Sequence, residues 1–279
     1  MKSFFFVLIF LFCFGTLAGQ TVTGKVVDVS TGEPLVYVNV GVIGQSRGTI
    51  TDETGAFKLE INELPGEATV RFSMIGYIAE TYTVKQLLDN NGKTIMLEST
   101  SIPLSEVVIK PGTLRKQRII GATRRALSGT SGGWGGSIYY GLGTGCEFGV
   151  KMELGKLPVH IKSLHIHFSQ QTFDSCLLRL HIRNIVNELP GDELLKQNIY
   201  IPLTKGDGWV EVDLSSHNLV FQGDIALSLE MISGGRKMPY SPNMFFSYSN
   251  KKGSTYIKKG SEGTWKRLEQ VLLFYLTVI

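Results

Sequence analysis

The chain has 279 residues, of which 43% are hydrophobic and 19% charged, and this composition is globular rather than disordered. Its net charge of +4 at pH 7 is too small to indicate a nucleic-acid partner. A chain of this length is long enough for two domains with separate cores.

The N-terminus has the pattern of a secretory signal peptide over residues 1–19. Lys2 precedes an apolar run at residues 4–12, and small residues follow up to Gly19. The run is too short to span a bilayer comfortably, so we expect export to the periplasm, the outer membrane or the cell surface. The large Phe12 before Cys13 argues against lipoprotein cleavage at that cysteine. No later apolar stretch is long enough for a membrane helix, so we expect no transmembrane span in the mature chain.

Residues 20–99 consist of short segments in which apolar and polar side chains alternate. Val38, Val40 and Val42 share one face of a predicted strand, and turn sequences such as DETG at 52–55 separate the segments. A period of two with frequent turns is typical of half-buried antiparallel strands. The segment therefore predicts a small sandwich of about seven strands.

Five motifs of this segment occur in the order of a known family. They are TGKVVD at 23–28, TGEPL at 31–35, VNV at 38–40, GTITDETGAF at 48–57 and IGY at 75–77. This run resembles the carboxypeptidase-regulatory-like domain, a transthyretin-like, seven-stranded Greek-key sandwich. The resemblance implies a domain without catalytic residues or a zinc site, in a protein of the Bacteroidetes envelope type.

Residues 100–136 are basic and rich in glycine. Between 110 and 127 the basic side chains come without an acid, and the apolar spacing fits one short amphipathic helix. A glycine- and serine-rich hinge follows up to residue 136. We interpret this region as a solvated linker, and the alternative is a basic strip that meets acidic sugars or phospholipid headgroups.

Longer strands return in residues 137–279. Roughly nine or ten predicted strands indicate a larger, jelly-roll-like β-sandwich, so the predicted fold class is all-β throughout. The region is similar, more loosely, to a C-terminal module often found behind the regulatory-like domain. The similarity rests on GCEFG at 145–149, RLHIR at 179–183, LPGDELL at 189–195 and WVEVDL at 209–214. It implies architecture and no reaction.

Cys146 and Cys176 are the cysteines that remain after the signal peptide is removed. In an exported protein they form a disulfide worth roughly 3–4 kcal/mol, or they are two buried thiols on separate strands. The sequence does not place their Cβ atoms, so both alternatives stay open.

No motif indicates a catalytic residue, a metal ligand or a cofactor. His165 and His167 share one face of a predicted strand, and His181 lies on another strand between Arg179 and Arg183. Two cations beside a histidine disfavour a metal ion. HExxH is absent from the sequence, and GTSGG at 129–133 fits the GxSxG pattern but lies in a glycine-rich segment without the strand-turn-helix context of a catalytic serine. We therefore expect these histidines to lie on polar sheet faces.

Aromatic side chains offer the remaining indication of function, because exposed rings stack on the apolar faces of sugars. The candidate ligand contacts are Trp134, Trp209, Tyr240 and Tyr256, and plain core packing is the alternative for each. We expect a non-enzymatic, exported envelope protein that binds a glycan or a protein partner, or presents a surface to one. This expectation includes an accessory role in outer-membrane uptake. A hydrolase or metal-dependent enzyme sited in the C-terminal domain is the alternative.

Overall fold

The structure is a computed structural model. It describes residues 20–89, 94–100, 116–125, 131–135 (backbone only), 143–204, 206–235 and 243–279. These residues form two β-sandwiches, which confirms the predicted all-β fold class. No helix among them is long and apolar enough to cross a membrane. The expected signal peptide lies outside the described residues.

The first sandwich packs a three-stranded sheet, in the order β4-β1-β7, on a four-stranded sheet, in the order β3-β2-β5-β6. Its elements are β1 (Thr21–Asp28), β2 (Asn39–Val42), β3 (Gly48–Ile50), β4 (Ala56–Glu60), β5 (Thr69–Ser73), β6 (Glu80–Thr83), α1 (Val84–Asp89) and β7 (Thr94–Leu97). Alternating side chains of both sheets, among them Val26, Val40 and Phe72, are fully buried between them. α1 was not predicted from the sequence, although Thr83 and Gln86 form a reciprocal capping box at its start.

The second sandwich contains longer strands. Its elements are β8 (Arg118–Gly121), β9 (Ser131–Gly135), β10 (Glu147–Glu153), β11 (Val159–Gln171), β12 (Ser175–Val186), β13 (Leu189–Glu193), β14 (Ile199–Thr204), β15 (Gly208–Asp213), a 3₁₀ turn (Ser215–His217), β16 (Val220–Phe221), β17 (Asp224–Gly235), β18 (Asn243–Ser249), β19 (Thr255–Lys258), β20 (Trp265–Leu268), β21 (Val271–Leu272) and β22 (Phe274–Val278).

Two sheets of this sandwich enclose its core. One sheet runs β13-β12-β17-β10-β19-β20, with β14 also paired to β12. The other runs β21-β18-β11-β22-β8, with β15 and β16 paired to β11 and β9 paired to β18. Because neighbouring side chains of a strand point to opposite faces, each long strand buries one row and turns the other outward.

The region between the sandwiches differs from its prediction. Ile119 and Ile120 lie in β8, which pairs with β22, so the amphipathic helix expected here is wrong. β-Branched side chains favour a strand, and an open sheet edge was available to pair with it. Residues 131–135, expected as a hinge, form β9 along β18. Both segments therefore extend the second sandwich.

The first sandwich packs against the outer face of the β12–β17 sheet. Ser73 donates to Glu262 Oε1 at 2.8 Å, and Asn198 donates to the carbonyl of Ile75 at 3.2 Å. A Cβ at Gly41 would lie 2.9 Å from the backbone nitrogen of Glu262, so glycine permits the close approach of the two backbones. One outer face of the second sandwich is thereby covered, and the other outer face carries the β11, β15 and β22 side chains.

Candidate functional site

A row of charged residues crosses the covered sheet. Cross-strand register places Lys258 opposite Glu147, Glu147 opposite Glu230, and Glu230 opposite Arg179. The apolar neighbours of these residues, such as Leu180 and Leu229, point into the core, so the charged side chains point toward the first sandwich. Two carboxylates side by side repel each other, and the flanking cations offset that repulsion.

Glu147 is fully buried and held by two cations. Its Oε2 lies 2.6 Å from Arg183 Nη1, and its Oε1 lies 2.6 Å from Lys258 Nζ. Ser228 donates a further hydrogen bond at 2.7 Å. Burial acts to raise the pKa of Glu147, but the charges of Arg183 and Lys258 outweigh it and hold that pKa well below its usual range. The carboxylate is therefore ionised and accepts hydrogen bonds only.

Glu230, also fully buried, binds His181 and Arg179. Its Oε2 accepts from Arg179 Nε at 2.8 Å and from His181 Nε2 at 2.8 Å. Burial again acts to raise the pKa of Glu230, but the Arg179 charge and the His181 hydrogen bond lower it to about 2. His181 Nδ1 lies 2.6 Å from Glu193 Oε2. Arg183 Nη2 lies 2.9 Å from the same ring nitrogen, so the imidazole of His181 is held between Glu230, Glu193 and Arg183.

Arg179 joins the charged row to the first sandwich. It is completely buried, and its Nη1 donates to the carbonyl of Tyr37 at 2.8 Å while its Nη2 donates to Asn39 Oδ1 at 2.7 Å. Tyr37 has a φ of 63°, a left-handed conformation that is uncommon for a tyrosine. A guanidinium with five donors satisfies both partners and Glu230 at once. Arg179 therefore fastens the two sandwiches together.

A pocket of about 480 Å³ opens beside this row, between the two sandwiches. Its second-sandwich wall includes His181, Arg183, Glu193 and Lys258, and its other wall includes residues 71–77 of the first sandwich. Trp265 also lines it, with Lys258 Nζ 5.1 Å from its ring centroid. The pocket is therefore lined by side chains that the ion-pair network already holds in place.

Glu147, His181 and Glu230 bring three potential metal-ligand atoms within 4.8 Å of one another. Both oxygens of Glu147 are already bonded to Arg183 and Lys258, and Glu230 Oε2 is bonded to Arg179, whereas Glu230 Oε1 is buried without a hydrogen-bond partner. A divalent ion would have to displace these cations and would meet their charges. The donor set thus fits an ion-pair network better than a metal centre.

The opposite outer face carries a cluster of rings, which we call the aromatic face: His165, His167, Trp209 and Tyr275. Register explains the cluster, because His165 lies opposite Tyr275 and His167 lies opposite Trp209. His165 stacks on Tyr275 with ring centroids 4.1 Å apart, and Trp209 meets Tyr275 edge-to-face at 4.9 Å. Trp209 is 43% exposed, so braced rings present an aromatic surface to solvent.

Polar groups surround the aromatic face. His165 Nε2 lies 2.8 Å from Ser163 Oγ and 3.0 Å from Thr277 Oγ1, and the exposed Glu211 is 3.6 Å away. Burial lowers the pKa of His165, against the opposing charge of Glu211, and burial together with the Arg125 charge lowers the pKa of His167. Both rings are therefore neutral at pH 7 and act as flat hydrogen-bonding surfaces rather than charges.

Comparison with known families identifies the first sandwich. Residues 22–109 match the model of the CarboxypepD_reg-like domain. The first sandwich is a CarboxypepD_reg-like domain. This match confirms the resemblance inferred from the five motifs. In the CarboxypepD_reg-like domain of this chain, β2 and β5 carry Asn39 and Arg71 toward the second sandwich.

Two solved structures are similar to the chain at low scores. The cysteine protease and lectin-like domains of Cwp84, a surface layer associated protein of Clostridium difficile, show 10% identity and a TM-score of 0.36, over 48% of this chain and 32% of that one. The structure of infectious bursal disease virus Gt strain shows 11% identity and a TM-score of 0.24, over 92% of this chain and 63% of that one. The chain thus spans less than two thirds of either structure, and neither likeness defines its fold or function. No curated protein matches the chain.

The four aromatic residues proposed from the sequence have different positions. Trp209 belongs to the aromatic face. Tyr256 is fully buried on β19, with Trp265 edge-to-face at 6.4 Å, so the expectation that it contacts a ligand is corrected to one of packing. Trp134 lies on β9 opposite Met244, and its side chain is outside the described part of the structure, as is all of Tyr240.

Cys146 and Cys176 are both buried and are not bonded to each other. β12, which carries Cys176, and β10, which follows Cys146, lie on opposite sides of β17. Neighbouring strands are about 4.8 Å apart, so strands separated by a third strand exceed the Cα distance of a disulfide, roughly 4.4–6.8 Å. Of the two alternatives left open by the sequence, the structure has the two separate buried thiols.

The ion-pair network was not predicted from the sequence, and only part of the aromatic face was. The alternation of RLHIR at 179–183 did indicate that Arg179, His181 and Arg183 share a face. Their carboxylate partners Glu147 and Glu230 come from other strands, and no local signal reports that pairing. His165 and His167 lie on the outer face of one sheet and His181 on that of the other, so the three histidines do not converge.

Proposed function

We propose that this protein is an exported, non-enzymatic binding protein that holds a carbohydrate on the aromatic face. The observation that carries the proposal is Trp209, which is 43% exposed yet fixed by edge-to-face contacts with His167 at 5.1 Å and Tyr275 at 4.9 Å. A ring held in this way loses little freedom when a ligand packs on it. The apolar C–H face of a sugar fits such a ring, and the neighbouring hydroxyls and Glu211 supply partners for its hydroxyl groups.

The charged network supports binding rather than catalysis as the task of the second sandwich. A general acid must hold a proton near neutral pH, whereas the pKa of Glu230 is lowered to about 2 by Arg179 and His181 in spite of its burial. Glu147 is held ionised in the same way by Arg183 and Lys258. Side chains so paired fix the shape of a surface and do not exchange protons with a substrate at pH 7.

Affinity electrophoresis and calorimetry of the mature chain with a panel of soluble polysaccharides test the proposal. We expect binding to at least one of them, and Trp209→Ala to weaken it about tenfold, which corresponds to about 1.4 kcal/mol. Trp209→Phe keeps a ring and is expected to retain part of the affinity. Leu157→Ala is the matched control, because Leu157 is 67% exposed and lies outside the aromatic face. Equal binding by wild type and Trp209→Ala, or no binding to any polysaccharide, refutes the proposal.

A further inference from the structure

The pocket between the sandwiches has features of a ligand site that the aromatic face does not share. Its volume of about 480 Å³ lies within the range of small-molecule sites, roughly 300–1,000 Å³. Both sandwiches contribute to its walls, for example Arg71 and Tyr77 from the first and Glu193 and Trp265 from the second. Its size suits one or two sugar rings rather than a polymer.

The charges around the pocket nearly cancel. Five cationic side chains line the pocket: Arg71, Arg179, Arg183, Lys196 and Lys258. Three carboxylates also line it: Asp192, Glu193 and Glu262. Two further carboxylates, those of Glu147 and Glu230, lie behind the wall and are bonded to these cations. The five cations and the five carboxylates balance each other. Such a balance gives little long-range attraction for an ion of either sign.

The deepest cations are also committed to internal partners. Arg179 directs its donors to Glu230, to the first sandwich and to Asn198. Arg183 binds both oxygens of Glu147, at 2.6 and 3.2 Å. An anion in the pocket would have to break these bonds, whereas a neutral ligand would leave them in place.

Ser261 and Thr100 line the pocket, and each carries a buried hydroxyl group without a hydrogen-bond partner in the described structure. Ser261 is 2% exposed and its Oγ lies against Gly145, so a rotation of the side chain about χ1 is needed to bring this hydroxyl to a ligand in the pocket. Buried polar atoms are rarely left unpaired, because desolvation without a hydrogen bond destabilises the folded state. A ligand rich in hydroxyl groups would supply donors and acceptors together.

Trp265 adds an aromatic wall to this polar pocket. The guanidinium carbon of Arg183 lies 5.4 Å from the ring centroid of Trp265, and Lys258 Nζ lies 5.1 Å from it. These cation–π contacts hold the indole in place. An aromatic wall combined with balanced donors and acceptors is the chemistry that a sugar ring requires.

We propose that the pocket between the sandwiches is a second binding site, and that it takes a short neutral sugar, one or two rings in size. The site does not depend on the aromatic face, because the two lie on opposite outer faces of the second sandwich. A longer glycan engages the aromatic face, while the pocket accepts a short one.

Calorimetry and saturation-transfer NMR on the mature chain test this site with neutral hexoses, their disaccharides, the matching uronic acids and inorganic phosphate. We expect saturable binding of a neutral sugar at concentrations of about 10 mM or below, and weaker binding of its uronic acid. Ser261→Ala should lower that affinity about fivefold, as expected for one ordinary hydrogen bond. The unliganded protein should keep or raise its melting temperature, since the lost hydroxyl had no partner. A purely structural role for Ser261 would instead lower the melting temperature.

Trp265→Ala should lower the same affinity by tenfold or more, while Trp209→Ala should leave it unchanged. Ser261→Ala keeps the test decisive if the tryptophan variant does not fold. The proposal is overturned if no neutral sugar binds, if phosphate or a uronic acid binds more tightly than the neutral sugar, or if Ser261→Ala leaves the affinity unchanged. If Trp209→Ala is the only variant that loses binding of the short sugar, all binding takes place at the aromatic face. That result overturns the proposed pocket site and leaves the proposed function unaffected.

Discussion

Replacing Arg179 with methionine removes the central cation of the interface and keeps an unbranched side chain in its place. Glu230 Oε2 then loses its bonds to Arg179 Nε at 2.8 Å and Nη2 at 2.6 Å, and keeps only the one to His181. Breaking a fully buried ion pair from one side costs about 3–5 kcal/mol, because a desolvated charge stays behind. Tyr37 and Asn39 lose a donor as well, so we expect a loss near the upper end of that range.

Urea unfolding followed by tryptophan fluorescence measures this loss, which corresponds to a midpoint shift of about 1–2 M. Calorimetry should also resolve two transitions in the variant, because the two sandwiches no longer share Arg179. Arg71→Met is the matched control. Arg71 lies at the same interface, but its side chain is 44% exposed and its partner Glu262 is 3.5 Å away. An exposed pair of this kind is worth about 1 kcal/mol or less.

A second substitution separates the charge effect from the packing effect. Arg179→Met combined with Glu230→Leu leaves no buried carboxylate at this position, so we expect the double variant to regain at least half of the lost stability. A loss of stability in Arg179→Met no larger than that in Arg71→Met would refute the central role of Arg179. It is refuted equally if the double variant is no more stable than Arg179→Met alone.

Two further predictions concern acid and thiol chemistry. The pKa of Glu230 falls from 4.5 to about 2 on folding, so its ion pairs contribute fully above pH 4.5 and are lost as the pH falls toward 2. Urea midpoints should decline over this window in the wild type and less steeply in Glu230→Gln, and parallel curves would contradict the assignment. Cys146 and Cys176 are buried, and burial raises the pKa of Cys176 to about 12. A thiol reagent should therefore label neither cysteine in the folded chain. In urea without reductant it should label both. Absence of labelling in urea would instead indicate a disulfide.

Much of the fold follows from local sequence patterns. The alternation of Val38, Val40 and Val42 correctly indicated a strand, and so did the alternation around His165 and His167. Side-chain period and turn chemistry act over a few residues, so they are visible without knowledge of the tertiary structure. The shared outer face of Arg179, His181 and Arg183 was readable for the same reason.

The parts that could not be predicted depend on pairing between distant strands. Glu147 and Glu230 meet because β10 and β17 align in one particular register, and residues between them in sequence give no sign of it. For Tyr256 the sequence left ligand contact and core packing both open, because an aromatic on a short strand is exposed or buried according to what covers it. Ile119 was assigned to a helix because the local spacing of apolar residues fits one. Its strand, β8, forms by pairing with the distant β22, which the local pattern does not report.

The Arg179 contacts also determine how mechanical force would pass through the molecule. Arg179 passes part of any tension on the first sandwich to β12, which is hydrogen-bonded to β17 on one side and to β13 and β14 on the other. Extracting an interior strand requires many hydrogen bonds to shear together, whereas an edge strand peels away one bond at a time. A chain that carries load between two attachment points would gain from this arrangement.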